Sequence, residues 1–281
     1  MICYGYWHHT ADLLAEGTSL VKHQLTLLCQ VTKCSLNYTK QGNLFRQFRD
    51  EKHKKGAFLI HGAPSYGQVW LLNRLIRQLR DYSTLDPFKF SFQSKAGEPS
   101  IKRLWKFLAK WVGLNISFSI DAATQQEIIR RLYKRWQTQT VILILNNSHV
   151  IEEQYIDKFL QEFWQAFVNI TNDRVDQPSK HYFLMFLIAH DDRVDKWKVP
   201  LAWQVDPAWE PRLPLKLEKL AEFSEKVLED WILREERLPP HLKAKDILDN
   251  SEGIPEDALN YICECCGYDE WLDLVKYRLT S

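Results

Sequence analysis

The 281-residue chain has no run of about 18 consecutive apolar residues, so no helix in it is expected to cross a bilayer. Its first residues, MICYGYWHH, lack a basic segment followed by an apolar stretch, which argues against a secretory signal and for a cytoplasmic protein. No internal repeat and no low-complexity tract is present, which excludes solenoids and fibrous arrays. The net charge is only +1, so overall basicity does not point to nucleic acid. No G-x-S-x-G elbow occurs, which leaves a Ser-His-Asp hydrolase without a starting point. In a chain this long without a signal peptide, the six cysteines (Cys3, Cys29, Cys34, Cys263, Cys265 and Cys266) are expected as free thiols. The Cys-Glu-Cys-Cys cluster at 263–266 has no second ligand pair after it, as a structural zinc site would need, and reads as buried thiols near a helix end. His8-His9 near Cys3 could ligate a metal but reads as an exposed terminal pair. No metal is expected.

What is present suits a globular protein. Hydrophobic residues make up 45% and charged residues 26%, enough apolar material for a core and enough charge for a surface. Eleven Trp require burial or an interface. The charge is polarised: residues 1–140 carry 21 Lys and Arg against 9 Asp and Glu, a net of +12, and the rest of the chain carries −11. Such a split would steer an anionic partner to one face, pack copies head to tail, or simply neutralise itself within the fold.

Residues 1–40 read as an N-terminal helical segment. A short amphipathic helix follows over Asn43–Arg49. The glycine-bounded apolar run Gly56–His61 predicts a strand, and the spacing of Val69, Leu72, Leu75, Ile76 and Leu79 predicts a helix from Gln68. The alternation continues with a strand over Pro87–Phe92, a helix capped at Ser100 and another capped at Asp121. Val141–Leu145 is apolar on both faces, as a central parallel strand must be. A long helix through Ile156 and Phe167 leads to a second such strand, Tyr182–Ala189. Strands alternating with helices predict an α/β domain over 41–210, with a parallel sheet between two helical layers. Residues 211–281 read as a helical C-terminal domain, with a possible strand at Leu213–Leu215, helices over Phe223–Arg237 and Trp271–Leu279, and one opened by Ile254-Pro255-Glu256.

The informative segment joins the first strand to its helix: Gly62-Ala63-Pro64-Ser65-Tyr66-Gly67-Gln68-Val69. A phosphate-binding loop reads G-x4-G-K-[ST] in this strand–loop–helix setting. Both glycines are in place. Gln68, however, stands where a lysine would meet the β- and γ-phosphates, and Val69 where a hydroxyl would ligate Mg²⁺. Tyr66, Val69 and Trp70 are bulky enough to fill the phosphate space. The strand expected to end in a metal-holding carboxylate ends instead in Asn146-Asn147-Ser148-His149. Three positions that share one task, handling the charge of a Mg²⁺-triphosphate, are all neutral. Gly62, Gly67, Gln68 and Val69 are therefore read as a vestigial phosphate loop, and Asn146 and Asn147 as a vestigial metal strand end, with no catalytic residue. His149, His181 and His190 read as polar strand-end groups. The basic helix faces (Lys102, Arg103, Lys106 and Lys110; Arg130, Arg131, Lys134 and Arg135) suit solvated outer surfaces, with phosphate contact as the alternative.

The segment Phe58-Leu59-Ile60-His61-Gly62, followed by Tyr66-Gly67-Gln68-Val69-Trp70-Leu71-Leu72-Asn73-Arg74-Leu75, resembles the inactive STAND family, degenerate relatives of the signal-transduction ATPases with numerous domains. Leu36-Asn37-Tyr38, Gln41 and the Ile254-Pro255-Glu256 turn fit the same layout, which spans roughly 35–280 and is specific over 58–75. The resemblance implies a P-loop NTPase-like fold without ATPase activity and without a cofactor. It also implies occurrence in bacterial, notably cyanobacterial, conflict and signalling systems, without naming this chain's own partner. The partner expected is another protein of the same system, with an oligomer open, no membrane, and nucleic acid disfavoured by the net charge. The alternatives are a nucleotide sensor that binds ATP or ADP without turnover, or a nucleic-acid-binding protein using the basic N-terminal half.

Overall fold

The computed structural model describes residues 38–79, 85–93, 98–115, 120–173, 179–206, 209–233 and 241–265. The segment before Tyr38, with Cys3, His8, His9, Cys29, Cys34, Leu36 and Asn37, lies outside them, as do Cys266 and the helix expected over Trp271–Leu279.

Consecutive burial identifies the strands. After helix α1 (Thr39–Asp50), strand β1 (Lys55–His61) is buried at every residue but its first. Helix α2 (Gln68–Arg77) returns the chain, and β2 (Phe88–Ser91) alternates buried and exposed residues. Helices α3 (Glu98–Trp111) and α4 (Ala122–Thr138) lead to β3 (Val141–Asn146), buried over its first five residues. Helices α5 (Glu153–Phe159) and α6 (Ala166–Asp173) are joined by a π-helical stretch, Leu160–Gln165, so the long helix expected here is continuous but locally widened. Strand β4 (Phe183–Ala189) is buried throughout, and a short β5 (Leu215–Lys216) completes the sheet.

All strand pairs are parallel, in the order β2-β3-β4-β1-β5. A parallel sheet buried on both faces needs helices on both. On one face Ala57, Leu59, Leu143, Met185 and Leu187 join a core with Trp105, Leu132, Phe159, Phe163 and Phe167. On the other, Phe45 and Phe48 of α1 pack on Phe58, with ring centroids 5.3 and 5.2 Å away, and Phe58 stacks on Phe186 at 5.4 Å. The α/β unit spans Thr39–Ala221. It extends past 210 because β5 pairs with β1 and Leu217 donates its N–H to the Leu59 carbonyl at 3.0 Å.

Asp121 caps α4 as expected, its carboxylate accepting from the Thr124 N–H at 2.8 Å. The expected cap at Ser100 is corrected: α3 already begins at Glu98, so Ser100 sits inside its first turn.

A second unit holds the described residues from Glu222 onward. It comprises α7 (Glu225–Ile232), α8 (Ala244–Ser251) and α9 (Pro255–Cys265). Pro255 opens α9, where its missing N–H costs nothing. Ser224 caps α7 by accepting from the Val227 N–H. Cys263 is buried and Cys265 half-buried on α9.

Candidate functional site

In the sheet order, the loop after β1 lies beside the ends of β4 and, one strand further, β3. Strand ends of an open parallel sheet are where α/β proteins place their ligands. The loop's glycines have geometric reasons of their own. Gly67, at φ 85° and ψ 29°, is left-handed, and its carbonyl accepts the Trp70 and Leu71 N–H groups at 3.0 Å each to begin α2. A Cβ on Gly62 would lie 2.8 Å from the Cβ of Leu220, whose N–H donates to the His61 carbonyl at 2.9 Å.

Gln68 is 2% exposed. Its Nε2 donates to the carbonyls of Gly62 at 3.1 Å and Ala63 at 2.7 Å, so the side chain folds back to tie the two ends of the loop. It is Gln68 that occupies the loop interior. The expectation that Val69 would fill that space is corrected, because Val69 is 48% exposed.

The neutral strand end is equally self-contained. The Oδ1 of Asn146 accepts from the Asn147 N–H at 3.0 Å and lies 3.1 Å from the Nε2 of His190. Asn147 takes the left-handed conformation (φ 58°), which Asn tolerates better than most residues, and its Nδ2 donates to the Ser91 hydroxyl at 3.0 Å. The amide pair thus makes a turn and stitches β3 to β2. His149 accepts from the His190 N–H through Nδ1 at 3.1 Å, which places its own proton on Nε2. Burial pushes the His149 pKa below its ordinary value, against the pull of Asp191. His149 and His190 are therefore brought together, their rings 6.0 Å apart. His181 is not, because it precedes β4, where its carbonyl accepts from the Trp136 indole. Among the described residues no group of three His, Cys, Asp or Glu is placed to hold a metal.

Charge gathers instead beside β5, a feature missed by the sequence reading. His61 is 1% exposed and donates from Nε2 to the Leu217 carbonyl at 3.0 Å. Its Nδ1 faces the Asp195 carboxylate at 3.4 Å without a hydrogen bond, as a neutral ring with its proton on Nε2 must. Burial, then the Lys216 ammonium, push the His61 pKa below its ordinary value, with Asp195 pulling the other way. Asp195 accepts from the buried Lys216 ammonium at 2.7 Å. Burial opposes ionisation of Asp195, but that hydrogen bond together with His61 and Lys219 holds its pKa below the carboxylate norm. The one signal in the sequence was a lysine inside the apolar stretch Leu213-Pro214-Leu215-Lys216-Leu217.

On α4 three of the basic residues are engaged within the fold, while Lys102, Arg103, Lys106 and Lys110 of α3 are exposed. Arg130 and Arg131 both bind Glu127, at 2.6 and 2.9 Å, and their hydrogen bonds hold its carboxyl at about 2. Arg131 also donates to the carbonyls of Val112 and Gly113, and the Arg135 guanidinium lies 4.2 Å over the Trp111 ring.

The profile of a family described as inactive STAND matches residues 33–189. No curated protein matches the chain. Among solved structures the chain is similar to Cdc6p from Pyrobaculum aerophilum, with 11% identity and a TM-score of 0.49, covering 83% of this chain and 64% of that one. It is also similar to the ORC2 protein of Aeropyrum pernix (12% identity, 86% and 67% covered, TM-score 0.46). A further similar structure is a signal-transduction ATPase with numerous domains that carries a tetratricopeptide repeat sensor, from Pyrococcus horikoshii (10% identity, 82% and 32% covered, TM-score 0.43). This chain spans 64% of the length of the first of these. No helix among the described residues is long and apolar enough to cross a membrane.

Proposed function

This chain belongs to the inactive STAND family, and from that premise we propose that its non-catalytic P-loop-like domain serves as a signalling or scaffolding module. On this reading it acts through protein contacts, with another protein of the same bacterial conflict or regulatory system as its partner. The observation that carries the non-catalytic part is the Gln68 side chain, hydrogen-bonded to two carbonyls of its own loop. Phosphoryl transfer depends on positioned charge. Here the lysine position is spent on holding the loop, the hydroxyl position is an exposed Val69, and Asn146 offers an amide already engaged with its neighbours.

Losing the lysine and the metal contacts removes several charge-assisted interactions of ~1.5–3 kcal/mol each. Subtracting two of them weakens nucleotide binding by roughly two to four powers of ten. This weighs against the nucleotide-sensor alternative. The internal pairing of Arg130, Arg131 and Arg135 weighs against the nucleic-acid alternative.

The test has two arms. Calorimetry with ATP and ADP, with and without Mg²⁺, should show no binding at sub-millimolar concentration, and Gln68→Lys alone should not restore it, because the metal side stays neutral. Micromolar binding to the unmodified protein would overturn the non-catalytic scaffold in favour of a sensor. Co-expression with the products of adjacent genes should yield a stable complex; a protein that stays alone with all of them would refute the partner assignment.

A further inference from the structure

Between α1 and the β5 edge lies a cleft of about 810 Å³, within the size range of small-molecule sites. One wall is a helical stripe on α1: Lys40, Asn43, Leu44 and Gln47, spaced so that all four share a face. Trp203, His61, Lys216 and Asp195 also line the cleft. The walls are fixed to one another. The Gln47 amide donates to the Val205 carbonyl, and Ala202 is bonded on both sides, its N–H to Pro214 and its carbonyl to Lys216, at 2.8 Å each.

Every charge in the cleft already has a partner. Lys216 is bound to Asp195 at 2.7 Å and lies 4.8 Å over the Trp203 ring. Lys219 binds Asp192 at 2.8 Å and approaches Asp195 at 3.8 Å, and Lys40 binds Glu218 at 2.6 Å. An anionic ligand would meet Asp195 and Glu218 beside the ammonium groups, and a cationic ligand would meet Lys40, Lys216 and Lys219 beside the carboxylates, so neither sign is favoured. A second cation on Trp203 would also be repelled by Lys216. Three features of the lining remain for a ligand: the indole of Trp203, which is 66% exposed, the half-buried Leu44, and the carboxamide of Asn43. A large aromatic surface left this open in a concave site is unusual and offers stacking. A side-chain amide reads a matching amide or amino edge, with one donor and one acceptor.

We propose that this cleft is a small-molecule site for an uncharged planar ring bearing a carboxamide or amino edge, stacked on Trp203 and read by Asn43. The site is separate from the vestigial loop and requires nothing of it. An isosteric series tests the assignment: benzamide, benzamidine and benzoate share one ring and differ in the charge and the donor–acceptor pattern of the head group. Saturation-transfer NMR on the full chain should show benzamide binding with a Kd of about a millimolar, the range expected of so small a ligand. Benzamidine and benzoate should bind more weakly. Trp203→Ala should weaken benzamide about tenfold, the loss of one stacking contact, with thermal unfolding unchanged because the ring is largely exposed. Asn43→Ala should lower it by a smaller factor. Tighter binding of benzoate or benzamidine than of benzamide, benzamide binding indifferent to Trp203→Ala, or no saturation transfer at about 10 mM benzamide would each overturn the proposal.

Discussion

His61 and Gly62 are neighbours in sequence, yet they belong to regions built on opposite principles. From Gly62 to Val69, and across to Asn146 and Asn147, polar atoms are neutral and are spent on one another. Around His61, charges are concentrated: a buried lysine, a carboxylate and an imidazole converge beside the β5 edge. The shape of the loop after β1 is demanded by packing at Gly62 and by the Gln68 bonds to its own carbonyls. Ionic groups buried beside an edge strand persist only if each has a partner.

The sharpest way to break this comparison is to remove one charge. Asp195→Asn leaves the buried Lys216 facing a neutral amide, and breaking a buried pair costs several kcal/mol. Asp195 is itself 37% exposed, so water will compensate in part, and a loss of ~2–3 kcal/mol in chemical denaturation is expected. Asn146→Ala, in the neutral region, should cost less than half of that. Equal losses at the two positions would erase the distinction.

Next in size is the loop itself. Gly62→Ala would bring a Cβ to 2.8 Å from the Leu220 Cβ and 3.1 Å from its carbonyl oxygen, where little can yield. Overpacking of this kind costs ~1–3 kcal/mol. Gly67→Ala should cost ~1–2 kcal/mol from its left-handed backbone alone. Both losses should be the same with and without ATP. A Gly62→Ala protein as stable as the parent would mean that this glycine is kept for something other than packing.

These two glycines also mark what the sequence could reveal. Their spacing disclosed a loop between a strand and a helix, because turn geometry is local and written in residue type. The buried strands β1, β3 and β4 were equally legible as apolar runs, since a sheet covered on both faces leaves no alternation to read. Strand β5 was barely visible. It is two residues long and owes its existence to pairing with β1, a contact between residues more than 150 positions apart. Hence the expected boundary near 210 fell short of Ala221. The His61–Asp195–Lys216 network was invisible for the same reason, as no local pattern joins three residues from three distant segments. The role of Gln68 was half legible: its neutrality could be read from the sequence, its bond to the loop carbonyls could not.

A smaller effect separates the regions by pH. The folded His61 has its pKa lowered, so between that value and the unfolded one, 6.5, the unfolded chain holds more proton. Stability is then fully present above about 6.5 and falls as the pH drops through that window, at no more than ~1.4 kcal/mol per pH unit for one proton. Asp195, also lowered, contributes in the same direction at more acidic pH. His61→Gln retains a donor for the Leu217 carbonyl and should flatten the unfolding profile between pH 7 and 5.5. An unchanged slope in that variant would show that the acid sensitivity lies elsewhere.

A further pH effect is expected at the opposite end of β1. Lys55 is half-buried at the start of the strand, and burial lowers its pKa from 10.5 to about 8. Between these values the unfolded chain keeps a proton that the folded chain has released, so stability should rise as the pH climbs from 8 to 10.5, at no more than ~1.4 kcal/mol per pH unit, and level off beyond. Desolvation by burial is what lowers it, in contrast to His61, where named charges compete with burial. Salt should therefore move the Lys55 midpoint little, because screening acts on charge pairs and not on burial. Lysine side-chain NMR, assigned through Lys55→Met, should show one resonance titrating near 8 at both low and high ionic strength. A midpoint that shifts strongly with salt would show that charge rather than burial governs Lys55, and the contrast between the two ends of β1 would fail.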